Sequence, residues 1–110
     1  MKYGVDLYFT GHTHHFERTW PVRDGAATQK DYLDPKATVH VQSGIAGVDG
    51  SDPFDVPQED WEAFRDTSFA VSYSKVTVLN DTHLQVQQIR AADGSLLDEF
   101  LLVQHKHGAF

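Results

Sequence analysis

Cysteine is absent from this 110-residue chain, which excludes disulfides and thiolate metal sites. Any metal must therefore be held by imidazole and oxygen donors. The same absence does not identify a compartment. No apolar run approaches the roughly 20 residues of a membrane-spanning helix, and the first residues do not read as a signal peptide. Positive charge is scarce: nine Lys and Arg against sixteen Asp and Glu leave a net charge of −7. Without a basic stripe carrying interleaved aromatics, nucleic acid is not an expected partner, and an acidic balance disfavours anionic membrane surfaces. No internal repeat or low-complexity linker divides the chain. Its length suits one small domain that buries roughly 65% of its unfolded surface.

What is present is patterned. Lys2-Tyr3-Gly4 reads as the end of a helix, with Gly4 suited to a left-handed stop. Val5 to Thr10, "VDLYFT", follows as a strand with bulk on both faces, as in the interior of a parallel sheet. Such a strand needs neighbours on both sides, which predicts that further chain belongs beside it. Asp24 to Lys36 is polar with Gly and Pro, hence a loop. Thr38 to Gly44, "TVHVQSG", is a second strand ending in a turn. An irregular, turn-rich region follows, and Glu59 to Asp66, "EDWEAFRD", reads as a short helix with Trp61 and Phe64 turned inward. The last third reads as an antiparallel meander of Ser72–Leu79, Thr82–Arg90 and Leu96–Val103. Asn80-Asp81 and Asp93-Gly94 supply its turns. Ile89 falls out of phase with Leu84 and Val86, which predicts a bulge near Gln87-Gln88. The tail "QHKHGAF" is expected to fray.

Directly behind the first strand stands "FTGHTHHFERTWPV", with three histidines, a glutamate and an arginine in fourteen residues. In α/β proteins, metal sites gather at the C-terminal ends of strands. His12 and His14 can project from one short loop into one crevice. Neutral imidazole is the commonest ligand for zinc and iron, and Gly11 allows close backbone approach. A solvent-facing surface loop explains the same His-x-His spacing, so the spacing leaves both readings open.

The larger stretch "VDLYFTGHTHHFERTWPV" resembles the last metal-binding motif of the purple acid phosphatases, within the dinuclear metallophosphoesterases. Gly11, His12, His14, Glu17 and Arg18 match G-H-x-H followed by aromatic-Glu-Arg, with Phe16 in place of the usual tyrosine. The downstream order is similar too: a V-x-V strand ending at glycine, a loop with Trp and Phe, then "LNDTHLQVQ" and "AADGSLLDEFLLV". The resemblance implies the C-terminal portion of a two-sheet α/β sandwich (α+β for the chain alone), mostly strands. Residues 1–36 would end a catalytic domain, and 37–110 would form a β-rich C-terminal segment. It further implies a ferric ion paired with Zn, Fe(II) or Mn(II), and a metal-bound hydroxide that attacks a phosphate monoester. Within that pattern His12 binds the divalent metal and His14 the ferric one. Gly11, His15, Glu17 and Arg18 fall to the supporting shell or rim. A secreted, vacuolar or lysosomal setting is implied as well, and with it N-glycosylation of Asn80 in the sequon Asn80-Asp81-Thr82.

Departures from the pattern qualify the expected function. The family's other ligands lie on G-D, G-D-x-x-Y, G-N-H and V-x-x-H motifs, none of which occurs here. The chain has no Gly-Asp or Gly-Asn dipeptide, and Asn80 is its only asparagine. The expectation is a part of an acid phosphatase that supplies two histidine ligands, needs the upstream part of the same protein, and is inactive alone. The alternatives are a truncated non-catalytic metal-binding or interaction module, or a relic motif. Exposed apolar faces on the first strand predict self-association of the free chain. His15, His40 and His83 are expected to face solvent, and His105 with His107 to bind metal only adventitiously. Trp20, Trp61 and Phe64 read as core. Asp49, Asp52, Asp55, Glu59 and Asp60 read as a solvated acidic loop rather than a calcium site.

Overall fold

The computed structural model describes residues 3–47 and 50–110. Nine strands occur among them, and no helix: β1 (Leu7–Thr10), β2 (Phe16–Thr19), β3 (Val22–Arg23), β4 (Ala26–Ala27), β5 (Val39–Ser43), β6 (Glu62–Arg65), β7 (Ser72–Val78), β8 (His83–Arg90) and β9 (Leu96–Val103). A four-stranded sheet has the order β1-β5-β2-β6, with β1 parallel to β5 and the other pairs antiparallel. The meander β7-β8-β9 forms a second sheet, and β3 with β4 forms a small hairpin.

Alternating side chains decide how the two larger sheets meet. In β5, Val39 and Val41 are fully buried while His40 between them is exposed. In β9, Phe100 and Leu102 are buried while Leu101 is exposed. Period-two burial of this kind turns one face of each sheet inward. The inward faces share one core of Phe16, Val39, Val41, Ile45, Val86, Phe100 and Leu102. A polar link crosses the same seam. The Gln88 amide nitrogen donates to Ser72 Oγ (2.8 Å) and Ser43 Oγ (3.2 Å), and its oxygen accepts from Ser74 Oγ (2.6 Å). Gln88 is buried, and these bonds satisfy an amide that would otherwise be costly to desolvate.

The Thr38–Gly44 strand and the three-stranded meander form where the sequence predicts, and the bulge falls between Gln88 and Ile89, while the strand β2 behind the His-x-His loop has no counterpart in the sequence reading. Other expectations are corrected. Glu59–Asp66 is not a helix: β6 pairs with β2, so that Phe64 faces Arg18 and reaches the core. Pairing supplied by β2 outweighs local helix propensity, which is a weak prior. Asp24–Lys36 is not wholly loop, because it contains β4, which pairs with β3 in a hairpin around Asp24-Gly25. The first strand begins at Leu7 and lies at a sheet edge, where Tyr8 and Phe9 are exposed rather than buried on both faces. Lys2 lies outside the described residues, and no helix ends at Gly4. That glycine does take the left-handed conformation (φ +58), and a Cβ there would overlap the Gly108 carbonyl.

Nor does the tail from Gln104 simply fray. Buried Gln104 donates to Asp6 Oδ1 (2.9 Å) and the Pro35 carbonyl (3.0 Å), joining both ends of the chain. His105 is bound to Asp34 through its backbone N–H (2.7 Å) and its ring (2.9 Å), so it does have an acidic neighbour. The backbone bond from His105 leads the causes that hold the Asp34 carboxyl below its ordinary value.

Replacing Phe100 with Ala is expected to cost about 3–5 kcal/mol by urea unfolding, through lost transfer and a cavity between the sheets. The adjacent exposed Leu101→Ala is expected to stay within about 0.5 kcal/mol of the unsubstituted chain.

Candidate functional site

The loop between β1 and β2 carries Gly11 to His15. It leaves the C-terminal end of β1 beside Gly44, which directly follows β5. A Cβ on Gly44 would overlap the Thr13 carbonyl, so only glycine lets the loop lie this close. His12 has φ +77, a left-handed backbone that a residue with a Cβ adopts rarely. Its side chain is exposed on the rim of a shallow concavity of about 380 Å³ lined also by Gly11, Ser43, Gly44, Ala46 and Gly47.

His14 is fixed by backbone rather than ring contacts. Its N–H donates to Asp52 Oδ2 (2.7 Å), and its carbonyl accepts from the Asp52 N–H (2.9 Å). Among the described residues, neither the His12 nor the His14 imidazole has a hydrogen-bond or ion-pair partner. Two unengaged imidazoles on one loop suit zinc or iron as ligands. They do not make a complete centre: no group of three or more His, Cys, Asp or Glu among the described residues could hold a metal ion. The donors present therefore fit as two ligands of a centre and not as the whole of one.

His15 does not face solvent. It is 9% exposed, stacks on Phe54 with ring centroids 4.1 Å apart, and holds the Asp52 carbonyl at 3.0 Å through Nδ1. A carbonyl can only accept, so Nδ1 carries the proton and Nε2 faces Glu17 Oε1 at 3.5 Å. The acidic loop is correspondingly not all solvated, since Asp52 and Phe54 close over the histidine loop. The aromatic face of Phe54 also lies 4.3 Å from the Arg65 guanidinium carbon. Asp49 lies outside the described residues. No spacing in the sequence marks Asp52 as a partner of His14, because a 38-residue separation hides the pair.

Glu17 belongs to a carboxyl pair that sequence reasoning missed. Register places Glu17 opposite Arg65, and Thr19 opposite Glu62, on adjacent strands. Glu62 Oε1 accepts from Arg65 Nη2 (2.6 Å) and Nε (3.1 Å), while buried Glu62 Oε2 has no hydrogen-bond partner from the ordinary donors. The Glu17 carboxyl is the neighbouring group that interacts with Glu62. Burial, then the hydrogen bond and repulsion from Glu62, push the Glu17 carboxyl up to about 8, against the attraction of Arg65. Both carboxyls line a cavity of about 440 Å³ together with His15, Phe54 and Trp61.

Arg18, next to Glu17, points to the opposite face of β2 and into the seam between sheets. Its Nε and Nη2 donate to Asp98 Oδ2 (2.6 Å) and Oδ1 (2.8 Å), and Nη1 donates to the Tyr32 hydroxyl (2.8 Å). Burial alone would lower its pKa, but the bonds to Asp98 and Tyr32 outweigh it and hold the guanidinium charged. Trp20 stacks near Tyr32, and Trp61 is half-buried. His40 is on the exposed face of β5, with its pKa lowered by partial burial. Asn80 is exposed in the β7–β8 turn, where its carbonyl oxygen accepts from the Thr82 and His83 N–H groups.

Two packed sheets with a two-histidine loop at the end of an edge strand define the C-terminal part of the purple acid phosphatase fold. Overlay on the solved purple acid phosphatase from yellow lupin (Lupinus luteus) seeds gives a TM-score of 0.81 at 25% identity, covering 91% of this chain and 18% of that one. The chain belongs to the iron/zinc purple acid phosphatase-like proteins, whose C-terminal family model matches residues 37–99. It is 38% identical over 113 residues to the zebrafish (Danio rerio) acid phosphatase type 7, covering 97% of this chain and 25% of that protein. An Arabidopsis thaliana protein named probable inactive purple acid phosphatase 1 is 31% identical over 106 residues, covering 93% of this chain and 17% of that one. The chain thus spans a quarter or less of the length of these relatives.

A carboxyl whose pKa rises on folding favours the fold while protonated. Glu17 therefore contributes its full effect below its ordinary value of 4.5 and loses it as pH rises towards about 8. The midpoint of thermal unfolding is expected to fall across that window. Glu17→Gln, which keeps a neutral donor, should flatten the profile; an unchanged slope in Glu17→Gln would rule out this assignment.

Proposed function

We propose that this chain supplies part of the active site of a metal-dependent acid phosphatase that hydrolyses phosphate monoesters. The observation that carries the reading is the pair of unengaged imidazoles on the β1–β2 loop, in a chain of this family. His12 would hold the divalent metal (Zn, Fe(II) or Mn(II)) and His14 the ferric ion, with the remaining ligands from the upstream part of a longer protein. Such a pair, when bound, supplies Lewis-acid stabilisation of phosphoryl charge and acidifies water. The chain's own residues do the holding. Asp52 fixes the backbone of His14, and Gly44 makes room for the loop. Glu17 and Glu62 line one cavity with Thr13, His15 and Asp52.

The division into 1–36, ending the catalytic domain, and 37–110, a β-rich C-terminal segment, is part of the same proposal. It is supported by the family match beginning at residue 37. The exposed edge of β1, with Tyr8 and Phe9, suits pairing with the upstream part and leaves the free chain open to self-association. A secreted, vacuolar or lysosomal setting fits a Glu17 that favours the fold at acid pH. There Asn80 would be glycosylated, its exposed turn giving access. No helix among the described residues is long and apolar enough to cross a membrane.

A second reading, a non-catalytic metal-binding or interaction module, is favoured by the lack of a third donor among the described residues. Calorimetric zinc titration separates it from a relic motif. His12→Ala and His14→Ala are expected to weaken zinc binding by about tenfold or more, while His105→Ala leaves it in place. Equal binding by all three would remove the metal assignment. The chain alone is expected not to turn over an aryl phosphate, and measurable turnover would contradict the need for upstream residues.

A further inference from the structure

The left-handed backbone at His12 requires support from outside the loop. Within the loop only two short closures occur, from the Thr13 N–H to the Gly11 carbonyl (3.0 Å) and from the His15 N–H to the Thr13 carbonyl (2.9 Å). Each spans two residues, a tight geometry that does not fix a loop by itself. Asp52 holds the His14 end of the loop from outside, and the support on either side of His12 comes from Gln42 on β5. Its register partners are Thr10 at the end of β1 and Glu17 on β2, so it stands between the two strands that the loop joins. From there its amide nitrogen donates to the Gly11 carbonyl (2.8 Å) and the Thr13 carbonyl (2.8 Å). Its amide oxygen accepts from Thr10 Oγ1 (2.6 Å). Two carbonyls on one side and a hydroxyl on the other fix the orientation of the amide, because the reverse would set oxygen against oxygen.

We propose that Gln42 is the positioning residue of the His12–His14 loop. Its carboxamide, oriented by Thr10, gathers the carbonyls on either side of His12 and sets the spacing and direction of the two imidazoles. Glutamine suits the task because it alone among uncharged side chains of this reach offers two donors to two carbonyls and an acceptor behind them. The placement of the Gly11 and Thr13 carbonyls follows from these contacts, whereas its significance for metal binding rests on the function proposed above.

The test uses the 110-residue chain with Gln42→Met, which keeps length but has no donor, and Thr10→Val, which removes only the orienting hydroxyl. Amide hydrogen exchange is followed by NMR at Thr13 and His15, with Val86 and Phe100 as core references, beside zinc affinity. Gln42→Met is expected to lower loop protection roughly tenfold or more and raise the zinc Kd about tenfold, with core protection retained. Thr10→Val should give a smaller loss at the same amides, and it serves as the test if Gln42→Met does not fold. Unchanged loop protection, or a loss spread equally over the core, overturns the proposal. Loss of loop protection while His12→Ala and His14→Ala bind zinc normally leaves the positioning role standing and removes the metal reading. Zinc loss in the histidine variants with an unchanged Kd in Gln42→Met removes the Gln42 assignment from metal binding alone.

Discussion

The bidentate ion pair of Arg18 with Asp98 joins residues 80 positions apart and ties the two sheets together at their shared core. Both side chains are nearly inaccessible, at 13% and 7%. A buried cation alone would be expensive, and this one is compensated on every side. Asp98 accepts from two of its N–H groups, and the Tyr32 hydroxyl accepts from a third while donating to the Thr19 carbonyl (2.8 Å). Tyr32, Phe64 and Phe100 place ring faces 5.3–5.8 Å from the guanidinium carbon. Lysine could not replace it, having no planar fork to match a carboxylate.

That clasp determines what the neighbouring side chains can do. With Arg18 directed inward, strand alternation sends Glu17 to the opposite face, where Glu62 and Arg65 receive it. With β2 held, the loop before it has one fixed end at Phe16, and Gln42 on β5, Gly44 just after it and Asp52 supply the other constraints. His12 and His14 therefore stand on a frame held from both sheets, His12 exposed and His14 half-buried, with no ring partner for either among the described residues. The pair Glu17–Glu62 makes the same frame sensitive to pH, and in the direction that suits an acid environment.

Legibility in the sequence followed the range of the interactions. The meander was readable because its alternation and turn residues are local, and Leu96–Val103 matches to the residue. The histidine loop was readable as a motif for the same reason. Residues 62–65 were misread because their strand exists only through pairing with β2, more than forty positions away. His15 was misread because Phe54 and Asp52 bury it from a loop with no periodicity. Arg18 was expected in the supporting shell of the loop. Neither its turn into the core nor its choice of Asp98 has a sequence signature. The tail was misread because Gln104 finds Asp6 at the other end of the chain.

The central claim is that the Arg18–Asp98 pair acts as one unit on which the joining of the sheets depends. A double-mutant cycle in urea unfolding with Arg18→Met and Asp98→Leu measures this directly. The account predicts a loss of about 3–5 kcal/mol for each single change, since each strands a buried charge. The double variant should lose far less than the sum, with a coupling energy well above about 1 kcal/mol. Two small losses that simply add would contradict it.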